Sequence, residues 1–321
     1  MSTTRASMVR KARRDPEALS FTEEKILRAA RDLPFFTAED ITRLLGSHGS
    51  HGSYYRGLLK TLSVSTAERK TEYLYRFKMP QAPGNVRLLY TLTRRGAVML
   101  RELGVEADFW YRPWKASHYS FSILQHHLGL TQFLVALSCF VRQNPSYQIV
   151  ETRHGFAIAR EPPRLTLCVD EQETTVEVIP DAWVYLERTS PDQSTIEGFA
   201  LWIEIDRGTE TKAKFQRLVA ERIDFIRYKG YETYFATPAV LLCYLAVGAT
   251  MDYRIARLHT MRAWTAEVLA EQELDEWGAS FRFSTIDECL YDTLMTYTDP
   301  AWYCVDSDSL VPLFTPPQNE E

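Results

Sequence analysis

The chain has 321 residues, 45% of them hydrophobic and 25% charged, with a formal net charge of −5. That length predicts two domains rather than one core, and the composition is that of a globular protein without low-complexity tracts beyond a short Gly/Ser/His loop at residues 46–52. Apolar runs such as 239–248 fall short of the roughly 20 residues that cross a bilayer, so no membrane partner is predicted.

Five cysteines, Cys139, Cys168, Cys243, Cys289 and Cys304, lie far apart with no Cys-x-x-Cys pair. An odd number at such spacing argues against a disulfide framework and fits a reducing cytoplasm. Charge is distributed unevenly. Residues 1–120 hold 21 Lys or Arg against 12 Asp or Glu, a net of +9, which leaves 16 against 30, or −14, for residues 121–321. The N-terminal part is therefore the part that phosphates would attract.

Residues 1–19 carry Arg5, Arg10, Lys11, Arg13 and Arg14 and read as a basic flexible arm. A helical pattern follows through Ile26, Leu27, Ala30 and Leu33, with Thr22 as the expected N-cap and Pro34 as its stop. Thr37 and Asp40 form a capping box for a second helix that buries Ile41, Leu44 and Leu45. A third helix over 53–62 turns Leu58, Leu59 and Leu62 inward. Between the two, His48 and His51 sit in the Gly/Ser loop without further ligands, so no metal is assigned there.

Two alternating runs, 72–77 and 86–92, flank the turn 81–85 and predict a hairpin. Three short helices and a hairpin, closed by Tyr90-Thr91-Leu92-Thr93-Arg94-Arg95-Gly96, resemble a winged helix-turn-helix over residues 20–104. In that arrangement the third helix meets base edges, which makes Ser53, Tyr54, Arg56 and Lys60 candidates for double-stranded DNA. Arg69, Lys70, Arg76 and Lys78, on or beside the hairpin, are candidates for phosphate contacts.

Periodicity lapses over 105–120, the expected linker, and a second domain is predicted for 121–305 with a disordered tail at 306–321. It opens on a long helix, 124–141, with His126-His127 in its first turn; this pair is read as packing. Strand-like runs follow at 147–159, 165–169, 176–187 and 199–206, then a helix at 211–228, a strand at 239–246, a helix at 253–269 and a strand at 281–285. A meander of strands followed by a crossover helix predicts an α/β (α+β) domain with a mixed sheet covered on both faces.

Acids mark two strand ends. Asp181 follows Pro180, and in the run 201–206 alternation sets Glu204 and Asp206 on one face, opposite Ile203 and Ile205. Carboxylates so grouped repel one another unless a cation intervenes, and hard oxygen ligands select Mg²⁺ or Mn²⁺. Glu204 and Asp206 are accordingly candidate metal ligands.

The second domain resembles the PD-(D/E)XK nuclease superfamily, with Asp181 and Glu204 at the positions of its two acids and Asp206 where it carries lysine. The resemblance implies that Asp181 joins Glu204 as a metal ligand and that Asp181, Glu204 and a displaced lysine, Lys214 before Lys212, are catalytic, with Glu151 as an additional acid. Asp206 is then a further ligand or a partner for Arg207 or Lys212. Over residues 22–290 the whole pattern resembles the replication-relaxation proteins of plasmids and mobile elements. This implies a role in replication, DNA relaxation or transfer, as a metal-dependent endonuclease or nickase or, alternatively, as a non-catalytic replication or transcription factor. A homodimer, or association with replication or transfer proteins, is the corresponding expectation for partners.

Overall fold

The computed structural model describes residues 19–46, 52–64, 72–79, 87–107, 119–169, 172–190, 194–237, 239–286, 297–298 and 300–314. The basic arm, His48, His51, Arg69, Lys70, Cys289, most of the linker and the end of the tail lie outside them.

Three helices, α1 (Phe21–Asp32), α2 (Ala38–Leu45) and α3 (Gly52–Leu62), precede a two-stranded antiparallel hairpin of β1 (Leu74–Lys78) and β2 (Leu88–Leu92), and α4 (Arg94–Glu102) closes the module. The first cap is Ser20 rather than Thr22. Its hydroxyl accepts from Glu23 N while the Glu23 carboxylate accepts from Ser20 N, so the box begins two residues earlier. Thr37 and Asp40 make the second box as expected.

The turn from β2 into α4 has a steric explanation. Thr93 caps the helix by accepting from Gly96 N at 3.0 Å and donates to Tyr73 O at 3.0 Å. A Cβ on Gly96 would stand 2.3 Å from that same Tyr73 oxygen. We expect Gly96→Ala to destabilise the chain by about 1–3 kcal/mol, read as a lowered urea midpoint, because backbone leaves no room to repack.

The remainder is built on a five-stranded mixed sheet in the order β3 (Tyr147–His154), β6 (Ala182–Thr189), β7 (Ile196–Asp206), β8 (Val240–Ala246), β9 (Phe281–Thr285). The first three strands are antiparallel, and β7, β8 and β9 run parallel. Two expected strand runs are divided. The run 147–159 turns after His154 into a short helix, α6 (Gly155–Ile158). The run 176–187 breaks at Pro180, so that its start belongs to a separate hairpin of β4 (Arg164–Val169) and β5 (Gln172–Glu177), while its remainder is β6. Proline cannot donate to a ladder, and here it marks the change of sheet.

Helix α5 (Phe121–Gln143) covers one face, while α7 (Lys212–Arg227) and α9 (Met251–Glu271) cover the other; α8 (Gly230–Phe235) follows α7. Among the described residues α5 alone is long and apolar enough by composition to cross a membrane. Its apolar residues are instead consumed on two sides. Leu201, Ile203 and Ile205 of β7 and Ile41, Leu59 and Ala97 of the N-terminal helices share one core with Leu130, Phe133 and Leu137. Polar bonds reinforce this packing: Thr131 Oγ1 donates to Phe35 O, and the Arg142 guanidinium donates to the carbonyls of Arg43 and Leu44 at the end of α2. The two parts are thus packed together, and not merely tethered. Cys139, Cys243 and Cys304 are buried thiols, and burial pushes that of Cys243 up to about 12.

Candidate functional site

Register brings two of the predicted acids together. Ala182 pairs with Ile203, and Asp181 N donates to Ile203 O, which sets Asp181 beside Glu204 on the neighbouring strand. Asp181, Glu204 and also Asp206 line one open cleft of about 260 Å³, together with His126, Arg207, Lys214, Arg222 and Tyr244.

Every acid in this cleft already has a partner. Asp181 Oδ2 accepts from Ile205 N at 2.7 Å, and Asp181 Oδ1 lies 2.9 Å from His126 Nε2. Burial works against its negative charge, but the imidazole and the backbone N–H outweigh it and hold the carboxyl below its usual range. Reciprocally, burial disfavours a charged His126, yet Asp181 raises its pKa above the ordinary value. His126 therefore does more than pack.

Glu204 Oε1 accepts from Trp202 Nε1 at 2.7 Å and from Arg222 Nε at 2.8 Å. Burial pushes this carboxyl up to about 7 against the pull of Arg222, and nearby Asp181 adds to the push. The side chains of Glu204 and Arg222 are 12% and 11% exposed, so the pair is largely withdrawn from water. Asp206 is bound at both oxygens by Arg257, at 2.7 and 2.9 Å, and its Oδ1 also accepts from Gly208 N at 2.6 Å. Neither Arg207 nor Lys212 is its partner, which corrects the expectation from neighbouring residues. Arg257 arrives from α9, 51 residues along the chain. Gly208 takes φ +70, a conformation suited to glycine, and so lets the backbone fold back onto Asp206.

The lysines separate. Lys214, in the first turn of α7, lines the cleft and pairs with Glu210 at 2.8 Å. Lys212 points to Glu267. Glu151 pairs with Arg153 at 2.6 Å on β3 and is not among the residues lining the cleft. Arg222 was missed in the sequence although its spacing is informative: Lys214, Leu218 and Arg222 follow at intervals of four along α7, and all three line the cleft.

The donor set does not fit a divalent cation as arranged. Among the described residues no group of three or more His, Cys, Asp or Glu side chains is placed to hold a metal. Glu204 and Asp206 each carry a guanidinium, where a metal site needs oxygens that face one another.

On the N-terminal module Ser53, Tyr54, Arg56 and Lys60 form an exposed face of α3, while Tyr55, Leu59 and Leu62 point inward. Arg76 and Lys78 are exposed on β1. Arg56 also lines a groove of about 520 Å³ with Thr37 and Thr42, the cap and a residue of α2, and Leu88 of β2, and Arg87 joins it there. Arg87 was not singled out in the sequence.

No curated protein and no solved structure matches the chain. Residues 27–239 match the model of the replication-relaxation family, a span that takes in α2, α3, the hairpin, α5 and the cleft residues Asp181, Glu204, Lys214 and Arg222. With well over half of its length matched, the chain belongs to the replication-relaxation family, a membership that implies a plasmid replication-related protein.

Proposed function

We propose that this protein binds double-stranded DNA in plasmid replication through a winged helix at residues 20–104, and that its acidic cleft is a nuclease-like site used for structure rather than hydrolysis. The order α5, β3, β6, β7, α7, β8, with Asp181 and Glu204 side by side, supports a PD-(D/E)XK-like second domain. The observation that carries the non-catalytic reading is the pairing within the cleft. Asp181 is hydrogen-bonded to His126, and Glu204 and Asp206 are paired with Arg222 and Arg257, so each carboxylate already has a partner within the protein. DNA binding draws support from the exposed Arg56, Lys60, Arg76, Lys78 and Arg87, none of which has an ion pair among the described residues.

Full-length protein is expected to bind duplex DNA with an affinity that falls steeply as salt rises. Arg56→Ala should weaken specific binding by about 1–3 kcal/mol if it meets a base, whereas Arg76→Ala should weaken all sequences alike. Fluorescence anisotropy on several duplexes separates the two; an equal loss of specificity from both substitutions would reject this division. Mg²⁺ and Mn²⁺ should leave the melting temperature unchanged and supercoiled plasmid intact.

The second reading, a metal-dependent endonuclease, is favoured by the convergence of Asp181, Glu204 and Lys214 on one cleft. Metal-dependent nicking that is lost in Asp181→Ala and Glu204→Ala would establish it in place of the first.

A further inference from the structure

We infer that the cleft between the hairpin and the sheet is a binding subsite for the sugar-phosphate backbone of one DNA strand, leading from the α3 surface toward the acidic cleft. The inference rests on the DNA-binding reading above and adds the path of the nucleic acid. The cleft measures about 330 Å³ and is formed where β2, α5 and the ends of β8, β9 and α9 meet. Arg87 and Arg254 line it from different elements, Gln125 and Gln132 of α5 supply amides, and among the described residues no Asp or Glu belongs to its lining.

The two arginines, Arg87 just before β2 and Arg254 in α9, differ from many of the sheet domain's arginines. Arg188, Arg222, Arg257 and Arg262 each meet a carboxylate. Neither Arg87 nor Arg254 has an ion pair among the described residues. Arg254 donates from one terminal nitrogen to Ile286 O at 3.0 Å, and its Nε is buried without a partner. A guanidinium held in a concave polar site and lacking an anion is matched by a phosphate, which accepts from it through two oxygens. Phe121, which also lines the cleft, offers an aromatic surface for a base. The volume suits a strand segment and is too small to take a duplex.

Continuity with the neighbouring surfaces gives the direction. Arg87 lines both this cleft and the groove that contains Arg56. At the other end Gln125 faces this cleft and the next residue, His126, faces the acidic one. Arg207, in the acidic cleft and without an ion pair among the described residues, continues the line of cations; its carbonyl accepts from the hydroxyl of Tyr253, the neighbour of Arg254. A strand leaving the N-terminal module along this line passes three guanidinium groups, those of Arg87, Arg254 and Arg207, that have no ion pair among the described residues, before it reaches Asp181.

Anisotropy titrations of the full chain with a labelled single-stranded oligonucleotide, a blunt duplex and a duplex with a single-stranded overhang test this. Arg87→Gln and Arg254→Gln should each lower affinity for the single strand and the overhang about five-fold at about 0.1 M salt. Each should also reduce the salt slope by about 0.7. Arg254→Lys should restore most of the slope. A photo-crosslinker placed at Gln132 should label the overhang rather than the blunt duplex. If the parent protein binds DNA and Arg56→Ala weakens it, yet both glutamine variants match the parent in affinity and slope, the cleft is not on the path and the DNA-binding reading survives. A loss confined to the blunt duplex overturns the assignment to one strand. Failure of the parent to bind any of the three DNAs overturns both readings.

Discussion

Arg257→Met, which removes the partner of Asp206 behind the acidic cleft, is expected to cost about 3–5 kcal/mol of folding stability. Its guanidinium and the Asp206 carboxylate are 8% and 7% exposed and meet through two hydrogen bonds. Removal of the cation leaves a buried carboxylate with one backbone donor, Gly208 N, to offset its desolvation. Contacts are lost as well, because the Arg257 guanidinium lies 4.9 Å from the Trp264 ring centroid. Asp206→Leu should cost a similar amount by stranding the opposite charge. The double variant should recover much of the loss, since a buried ion pair replaced by apolar groups of similar volume is often close to neutral.

This series also separates the two readings of Asp206. As a metal ligand held among like charges, Asp206 would relieve repulsion when removed, and Asp206→Asn would raise stability in metal-free buffer. As the anchor between β7 and α9, it lowers stability when removed. Urea unfolding of the parent and the four variants, with chelator present, gives the sign. An increase in midpoint for Asp206→Asn, or a loss below about 1 kcal/mol for Arg257→Met, would overturn the structural role assigned here.

Local signals in the sequence located most elements. Thr37 and Asp40 lie three residues apart and announce a helix start, and the register of Asp181 with Glu204 follows from two neighbouring strands. The division of the run 176–187 was harder to see, because apolar alternation continues on both sides of Pro180 even though the two halves belong to different sheets. Partners of the acids were the least legible. Arg222 and Arg257 are 18 and 51 residues from the groups they bind, and His126 lies 55 residues before Asp181. A carboxylate pattern shows where negative charge gathers. Whether a metal or the protein's own cations neutralise it depends on tertiary packing that a linear spacing does not encode. His126-His127 illustrates the limit: adjacent residues on one helix face different surroundings, the first an acid and the second an aromatic cluster.

That second histidine sets an acid-sensitive contact between the N-terminal module and the sheet domain. The His127 ring packs against Phe35 and Phe156, with centroids 5.4 and 4.8 Å away, and burial lowers its pKa to about 3, with His126 adding to the effect. His154 on β3, 4% exposed, is lowered to about 4 by burial. Both values lie below the unfolded value of about 6.5. The unfolded chain therefore takes up protons first, and each group's contribution to stability falls as pH drops from about 6.5 toward its folded value. At pH 4.5 the loss is about 2–3 kcal/mol for each histidine. Other groups act in the opposite direction. His126 has a raised pKa, so its contribution is complete below about 6.5 and is lost as pH rises through the folded value. Glu204, pushed up to about 7, also favours the folded state as pH falls from there. The overall curve mixes these terms, so the informative quantity is the difference between the parent and His127→Phe, which keeps the ring and removes the titration. The variant should gain about 2–3 kcal/mol on the parent between pH 7 and pH 4.5, seen as a rising difference in urea midpoints. Parallel curves over that interval would show that His127 takes up its proton without cost, and the acid sensitivity of this contact would have to be abandoned.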